Sequence, residues 1–276
     1  GSYIGSSSNI GFFYNWSCDD VAPRKSYSID LIKDEHIRSR FKLLPGDVGQ
    51  SFDQLMIGHV VMEAFANDAF SAALEIYDLL DQRQPIDYQL NILYEVAMQF
   101  SRVFAKYFHP EKTTKAEHWA SIQKCLKLPE FIGMGGVQNT SIHIFGLIMG
   151  LSRAEHPLNA ELEKIGCKHY THQQRSIIDG FTKKRDVLKN YINTSASETE
   201  VQLYCKITER LASWRSVHAR RVRDYISAAT SKSHTLLYES SVNQKGTILE
   251  IQQQFDHRIF ETRQLNLLKN WRRSES

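Results

Sequence analysis

The chain has six prolines, at positions 23, 45, 85, 110, 129 and 157, and none in the 119 residues that follow Pro157. Proline removes a backbone donor and breaks the interior of helices and sheets, so its rarity leaves room for long uninterrupted elements. The period-2 alternation of a half-buried strand is nowhere sustained. The expected fold is therefore all-α, a bundle of many helices. Apolar residues at 52, 55, 56, 60, 61, 64, 65 and from 70 onward predict one long buried helix over 50–80. A second is expected over 87–108, ending before His109-Pro110, and a third over 115–126, ending before Pro129, because the residue before a proline disfavours helix. Three glycines in Gly133-Met134-Gly135-Gly136 then interrupt the pattern and free the backbone to lie close against something flat or bulky. Helix resumes over 140–151, continues as two shorter segments over 171–182 and 183–193, and becomes long again over 197–229, where Ser197-x-x-Glu200 reads as a capping box. A last helix is expected over 247–270.

At 276 residues, 42% of them apolar and 11% aromatic, the chain can bury a real core in one large domain or two small ones. We read a loop-rich segment over 1–28 followed by a single helical domain over 29–276. Gly1-Ser2 reads as a remnant of cloning, which leaves open a further N-terminal segment. The net charge of +3 is too small to point to nucleic acid or to an anionic membrane as partner. No segment nears the roughly 20 apolar residues of a membrane span, and no basic segment followed by an apolar one opens the chain; a cytoplasmic location is expected. Cys18, Cys125, Cys167 and Cys205 show no paired spacing, which fits a reducing compartment better than a disulfide framework or a zinc site.

The helix after Ser197 carries an apolar stripe at Tyr204, Ile207, Leu211, Trp214, then position 218, then Val222 and Tyr225, and position 218 is a histidine. His218 is thus expected to face inward. Arg215 lies on nearly the same face, and Arg220, Arg221 and Arg223 crowd the next turn. Such a histidine is either a satisfied core residue or an axial ligand to haem iron, with an arginine three residues away able to bond a propionate. Spacing alone leaves both open.

The run Leu211-Ala-Ser-Trp-Arg215-Ser-Val-His218 resembles the proximal-histidine helix of the indoleamine/tryptophan 2,3-dioxygenase superfamily of haem enzymes. Gly133-Met-Gly-Gly-Val-Gln138 and the helix up to Gly150-Leu151 are similar to that family's glycine-rich distal loop and the helix after it. Lys168-His-Tyr170-Thr-His-Gln-Gln-Arg175 resembles its next helix start. Trp16-Ser-Cys-Asp-Asp-Val-Ala-Pro-Arg24-Lys-Ser26-Tyr27 resembles a segment of the related monodechloroaminopyrrolnitrin synthases of pyrrolnitrin biosynthesis. The resemblance spans about residues 12–229. It implies haem b ligated by His218, with Arg215, Trp214, Gly135 and Gly136 around the cofactor. It further implies O2 as co-substrate and a pocket in which His118 is a distal acid or base and Trp119 and Gln123 meet the substrate, with Arg24 a candidate for substrate or propionate and His143 either a substrate contact or a satisfied core histidine.

The departures from the family bear on the substrate. Where the dioxygenases have an arginine that clamps the tryptophan carboxylate, this chain has Gln123, which cannot form a bidentate charged pair. Asp68 stands where they have a serine, and an inward carboxylate there is a candidate to anchor an amine or move protons; a solvated or paired surface acid is the alternative. Gly146 replaces an aspartate that pairs with the proximal-helix arginine. The relatives also carry a small domain over the distal side, and this chain begins about where their large domain does, which leaves three readings open: a trimmed N-terminus, a more open pocket, or a pocket covered by a homodimer or a partner chain. Cys167-x-His169-x-x-His172 has metal-like spacing without a fourth ligand and reads as surface.

The expected function is a haem-dependent oxygenase acting with O2 on tryptophan or another indole-like aromatic, by dioxygenation or ring rearrangement, in specialised metabolism. Two alternatives stand beside it: a haem-binding or haem-sensing protein without turnover, and a helical interaction module whose arginine cluster binds an acidic partner.

Overall fold

The computed structural model of the protein describes residues 16–18, 37–39, 44–126, 140–151 and 172–232. Within them the fold is all-α, with one addition that the sequence pattern did not predict. Strands β1 (Trp16–Cys18) and β2 (Ile37–Ser39) pair antiparallel, Ser17 opposite Arg38. Three residues a side are too few to show as alternation.

Helix α1 (Gly46–Asp81) is the central element. Its buried positions Phe52, Leu55, His59, Met62, Ala66, Ala69, Ala73 and Ile76 advance by threes and fours, the period that keeps one stripe of a helix facing the core. Helix α2 (Asp87–Tyr107) packs antiparallel to it after a tight turn in which Arg83 takes a positive φ of 56°. The crossing is closest near Gly58: a β-carbon there would lie 2.6 Å from the Phe108 ring and 2.8 Å from Tyr107 Cβ. A short 3-10 turn (Ala116–His118) and helix α3 (Trp119–Leu126) follow. The expected continuous helix over 115–126 thus begins as a tighter turn.

Helix α4 (Thr140–Ile148) stops three residues short of expectation. Gly150 has φ +65°, and Leu151 N–H reaches the Gly146 carbonyl while Gly150 N–H reaches that of Leu147, the paired bonds that terminate a helix at a left-handed residue. Helices α5 (His172–Lys184), α6 (Val187–Thr194) and α7 (Glu198–Lys232) match the expected segments within a few residues. α7 lies along α2 and contacts the 3-10 turn and α3, so the core is a sandwich of α1, α2 and α7 closed by α4. The expected helix over 247–270 lies outside the described residues. No helix among the described residues is long and apolar enough to cross a membrane.

The expected capping box forms, and does more than cap. Ser197 N–H bonds Glu200 Oε2 at 2.7 Å, and Glu200 N–H bonds the Ser197 hydroxyl at 3.3 Å. The same carboxylate accepts Ile86 N–H at 2.9 Å and the Tyr191 hydroxyl at 3.0 Å. Burial would raise the Glu200 pKa, but these bonds from Ile86, Ser197 and Tyr191 outweigh it and hold the carboxyl below its ordinary value. One buried carboxylate thereby ties the starts of α2 and α7 to α6.

Candidate functional site

The site is assembled from the end of α2 backward onto the start of α1. α2 ends at Phe108, before His109-Pro110, and leaves carbonyls without intrahelical partners. Thr113 and Thr114 both donate their hydroxyls to the Tyr107 carbonyl at 2.8 Å, which folds the next residues over the helix end. Ser51, in the second turn of α1, then accepts Lys115 N–H at 3.2 Å and meets His118 Nδ1 at 2.8 Å. The hydroxyl can give its proton to Nδ1 or accept a second bond from Nδ1–H, so this contact fixes the position of the ring in either tautomer and leaves Nε2 facing outward. That nitrogen faces Glu117, 3.6 Å away. His118 is held, oriented and only partly exposed.

Behind it runs a file of rings that crosses the three core helices. His59 of α1 meets Phe108 edge-on at 4.9 Å, Phe108 stacks on Phe104 at 4.7 Å, and Phe104 meets Trp214 edge-on at 5.9 Å. Trp214 stacks on His218 at 5.4 Å, and Phe104 lies at the same distance from His218. Phe100 joins from α2, 6.5 Å from Trp214 and 5.6 Å from Phe145 of α4. Every ring in the file from His59 to Trp214 is buried, while His218 at its end is half-buried. His59 Nδ1–H donates to the Leu55 carbonyl at 2.8 Å, and burial lowers its pKa from 6.5 to about 4, so it is neutral in the folded protein.

Around His218 the polar atoms of α7 are unevenly satisfied. Arg215 is buried on the preceding turn. Trp214 Nε1 and the Tyr225 hydroxyl are buried and have no hydrogen-bond partner among the described residues. Tyr225 stacks under Trp119 at 4.7 Å, with 31° between the ring planes, and burial pushes its pKa up. It is therefore a protonated donor across the working range of pH. Two other buried atoms share this state, the Tyr77 hydroxyl and Gln99 Oε1.

Of the residues singled out in the sequence, the structure makes two groups along α7: Trp214 against His218, one turn past Arg215, and, about 10 Å further along the helix, Tyr225 against Trp119, the neighbour of His118. Asp68 is not with them. It lies on α1 seventeen residues past Ser51, the partner of His118, or about 25 Å along the axis at 1.5 Å per residue. His143 is half-buried on α4, whose start is fixed by Ser141 N–H donating to Glu63 at 3.4 Å. Gln123 lies on α3, with its side chain outside the described residues, as are Arg24, Gly135, Gly136, Cys167 and His169 entirely. His172 is exposed. Two residues of the site escaped the sequence reading. His59 stands on the stripe at 52, 55, 59 and 62 and was legible from that spacing, whereas Ser51 carries no signal, because its partner is 67 residues away.

No group of three or more His, Cys, Asp or Glu side chains that could hold a metal gathers among the described residues. Neither the protein-family models nor the curated proteins contain a match to the chain.

Proposed function

We propose that the protein is a haem-dependent oxygenase that acts with O2 on tryptophan or an indole-like aromatic, and that His218 would hold the haem iron. The observation that carries the reading is the surroundings of His218: an imidazole on an unbroken helix, flanked by the rings of Trp214 and Phe104, one turn after a buried arginine. The residues fit a haem in their donor chemistry. A single helical imidazole suits an iron whose other ligands come from a macrocycle. The flat apolar faces of Phe104 and Trp214 suit a planar ring, and the buried Trp214 N–H lacks an acceptor of the kind a propionate supplies. The sequence resemblance of 211–218 to the proximal helix of the dioxygenase superfamily points the same way.

When bound, the haem would supply the activation of O2, and the protein's part is binding, orientation and the exclusion of water. Arg215 would pair with a propionate. Trp119 gives the substrate an aromatic wall. His118, held by Ser51 at Nδ1, would pass a proton at Nε2. Haem b is the cofactor in this reading, the substrate is a small aromatic, and neither nucleic acid nor membrane is a partner. Cover of the pocket by a second chain, and a cytoplasmic setting, belong to the same proposal.

The test is an absorption spectrum of the purified chain after haem addition, reduced with and without carbon monoxide, for the wild type and for His218→Ala. The reading predicts a histidine-type Soret band that His218→Ala loses, and oxygen uptake when an indole is added. Haem uptake without oxygen consumption would favour a sensing role, and absence of uptake would leave a helical binding protein.

A further inference from the structure

The chain has Gln123 where an arginine would hold a substrate carboxylate, yet α7 offers other donors beside Trp119. Tyr225 is 4% exposed, and its hydroxyl has no partner among the described residues. A buried hydroxyl without a bond is unfavourable, and an acceptor brought by a ligand would relieve it. Arg221 stands four residues earlier, one turn up the same face, and side chains on a helix lean toward its N-terminus, so the Tyr225 ring leans over the turn that carries Arg221. Arg221 is half-buried and makes no ion pair among the described residues. Asp224, the adjacent carboxylate, is exposed and lies about 100° round the helix from Tyr225; its charge still reaches the hydroxyl, though less strongly than the opposing charge of Arg221. The half-buried Trp119 ring covers the Tyr225 ring, and its own position is fixed from the other side by the bond between Ser51 and His118.

We propose that Tyr225 and Arg221, beneath Trp119, form an anion site that takes the carboxylate of an aromatic acid. The hydroxyl and the guanidinium both donate to the carboxylate, a charge-assisted pair of bonds, and Trp119 packs on the ligand's ring. The site does from α7 what an arginine at position 123 would do from α3. As the carboxylate end of the substrate pocket it rests on the oxygenase reading; as an anion site it stands on these three residues alone.

The test is calorimetric binding of indole-3-acetate and of its neutral counterpart indole-3-acetamide to the full chain, with and without added haem. The acetate should bind at least about tenfold tighter than the amide, the worth of one charge-assisted bond. Arg221→Gln and Tyr225→Phe should each remove most of that preference by costing the acetate far more affinity than the amide, and Trp119→Ala should weaken both probes alike. Tyr225→Phe deletes only a hydroxyl without a partner, so its melting temperature without ligand should stay the same or rise. Equal affinity for the two probes, binding of neither, or a preference that survives both substitutions would overturn the site. Haem uptake with no discrimination between the probes sinks the anion site and leaves the oxygenase reading, whereas discrimination without haem uptake does the reverse.

Discussion

The two halves of α7 contain similar side chains in opposite states. At its start the Glu200 carboxylate accepts three hydrogen bonds, from Ile86 N–H, Ser197 N–H and the Tyr191 hydroxyl, while the Glu200 N–H donates to the Ser197 hydroxyl. Four turns later Trp214 and Tyr225 bury an N–H and an O–H with no acceptor among the described residues, on either side of a half-buried histidine. Burying a polar group without a partner is unfavourable, so a fold keeps such a group where something else completes it. The first half of α7 is scaffold, and the second carries the unpartnered donors on which the proposed ligand site rests.

That contrast can be broken by substitution. The largest effect is expected from Glu200→Ala, which strips the cap and leaves the buried Ile86 N–H and Tyr191 hydroxyl without their acceptor; we expect a loss of about 3–4 kcal/mol in urea unfolding. Lowering the pH attacks the scaffold at two separate points. His59, with its pKa lowered by burial from 6.5 to about 4, stays neutral in the fold while the unfolded chain takes up a proton, so stability is full above pH 6.5 and falls as the pH drops toward 4, by about 3 kcal/mol in all. Glu200 has a lowered pKa, so its contribution is present above the ordinary carboxylate range and is lost only as the pH falls through its lower folded value. A His59→Gln variant should therefore flatten the stability profile between pH 4 and 6.5 and leave the more acidic limb in place. A profile unchanged by that substitution would contradict the assignment.

Gly58→Ala tests the link between the two regions, because its methyl group would press on the Phe108 ring at 2.6 Å. We expect a loss of about 1–3 kcal/mol and a shift in the near-ultraviolet circular dichroism of the ring file. The smallest effects are expected at the ligand end. Trp214→Phe should cost the ligand-free chain about 1–2 kcal/mol, from the space the larger ring leaves in the core and not from its N–H, which makes no bond among the described residues. Tyr77→Phe, remote from His218 at the contact of α1 with Phe181, should be milder still and should leave haem binding untouched, whereas Trp214→Phe should weaken it.

The legible part of this architecture was what depends on neighbours in sequence. Helical periodicity, the proline stops at 110 and the Ser197/Glu200 box act over one or two turns, and each set its element to within a few residues. The stripe through Trp214, His218 and Tyr225 was legible for the same reason. What escaped acts over distance or through backbone angles. The Ser51–His118 bond joins residues 67 apart, the early end of α4 follows from the left-handed Gly150, and the β1–β2 pairing is too short to leave a pattern. Asp68 illustrates a different limit: it is half-buried on α1, and only the packing of the 3-10 turn at the other end of that helix separates it from His118.

The most direct test of the division within α7 is urea unfolding of the wild type and of His218→Ala, each with and without haem. A ligand that binds only the folded chain stabilises it by about 3 kcal/mol at a hundredfold excess over its Kd. The account predicts that gain for the wild type and none for His218→Ala, with the two proteins within about 1–2 kcal/mol of each other when no haem is present, as for loss of a half-buried side chain. No gain in the wild type, or an equal gain in both, would contradict it.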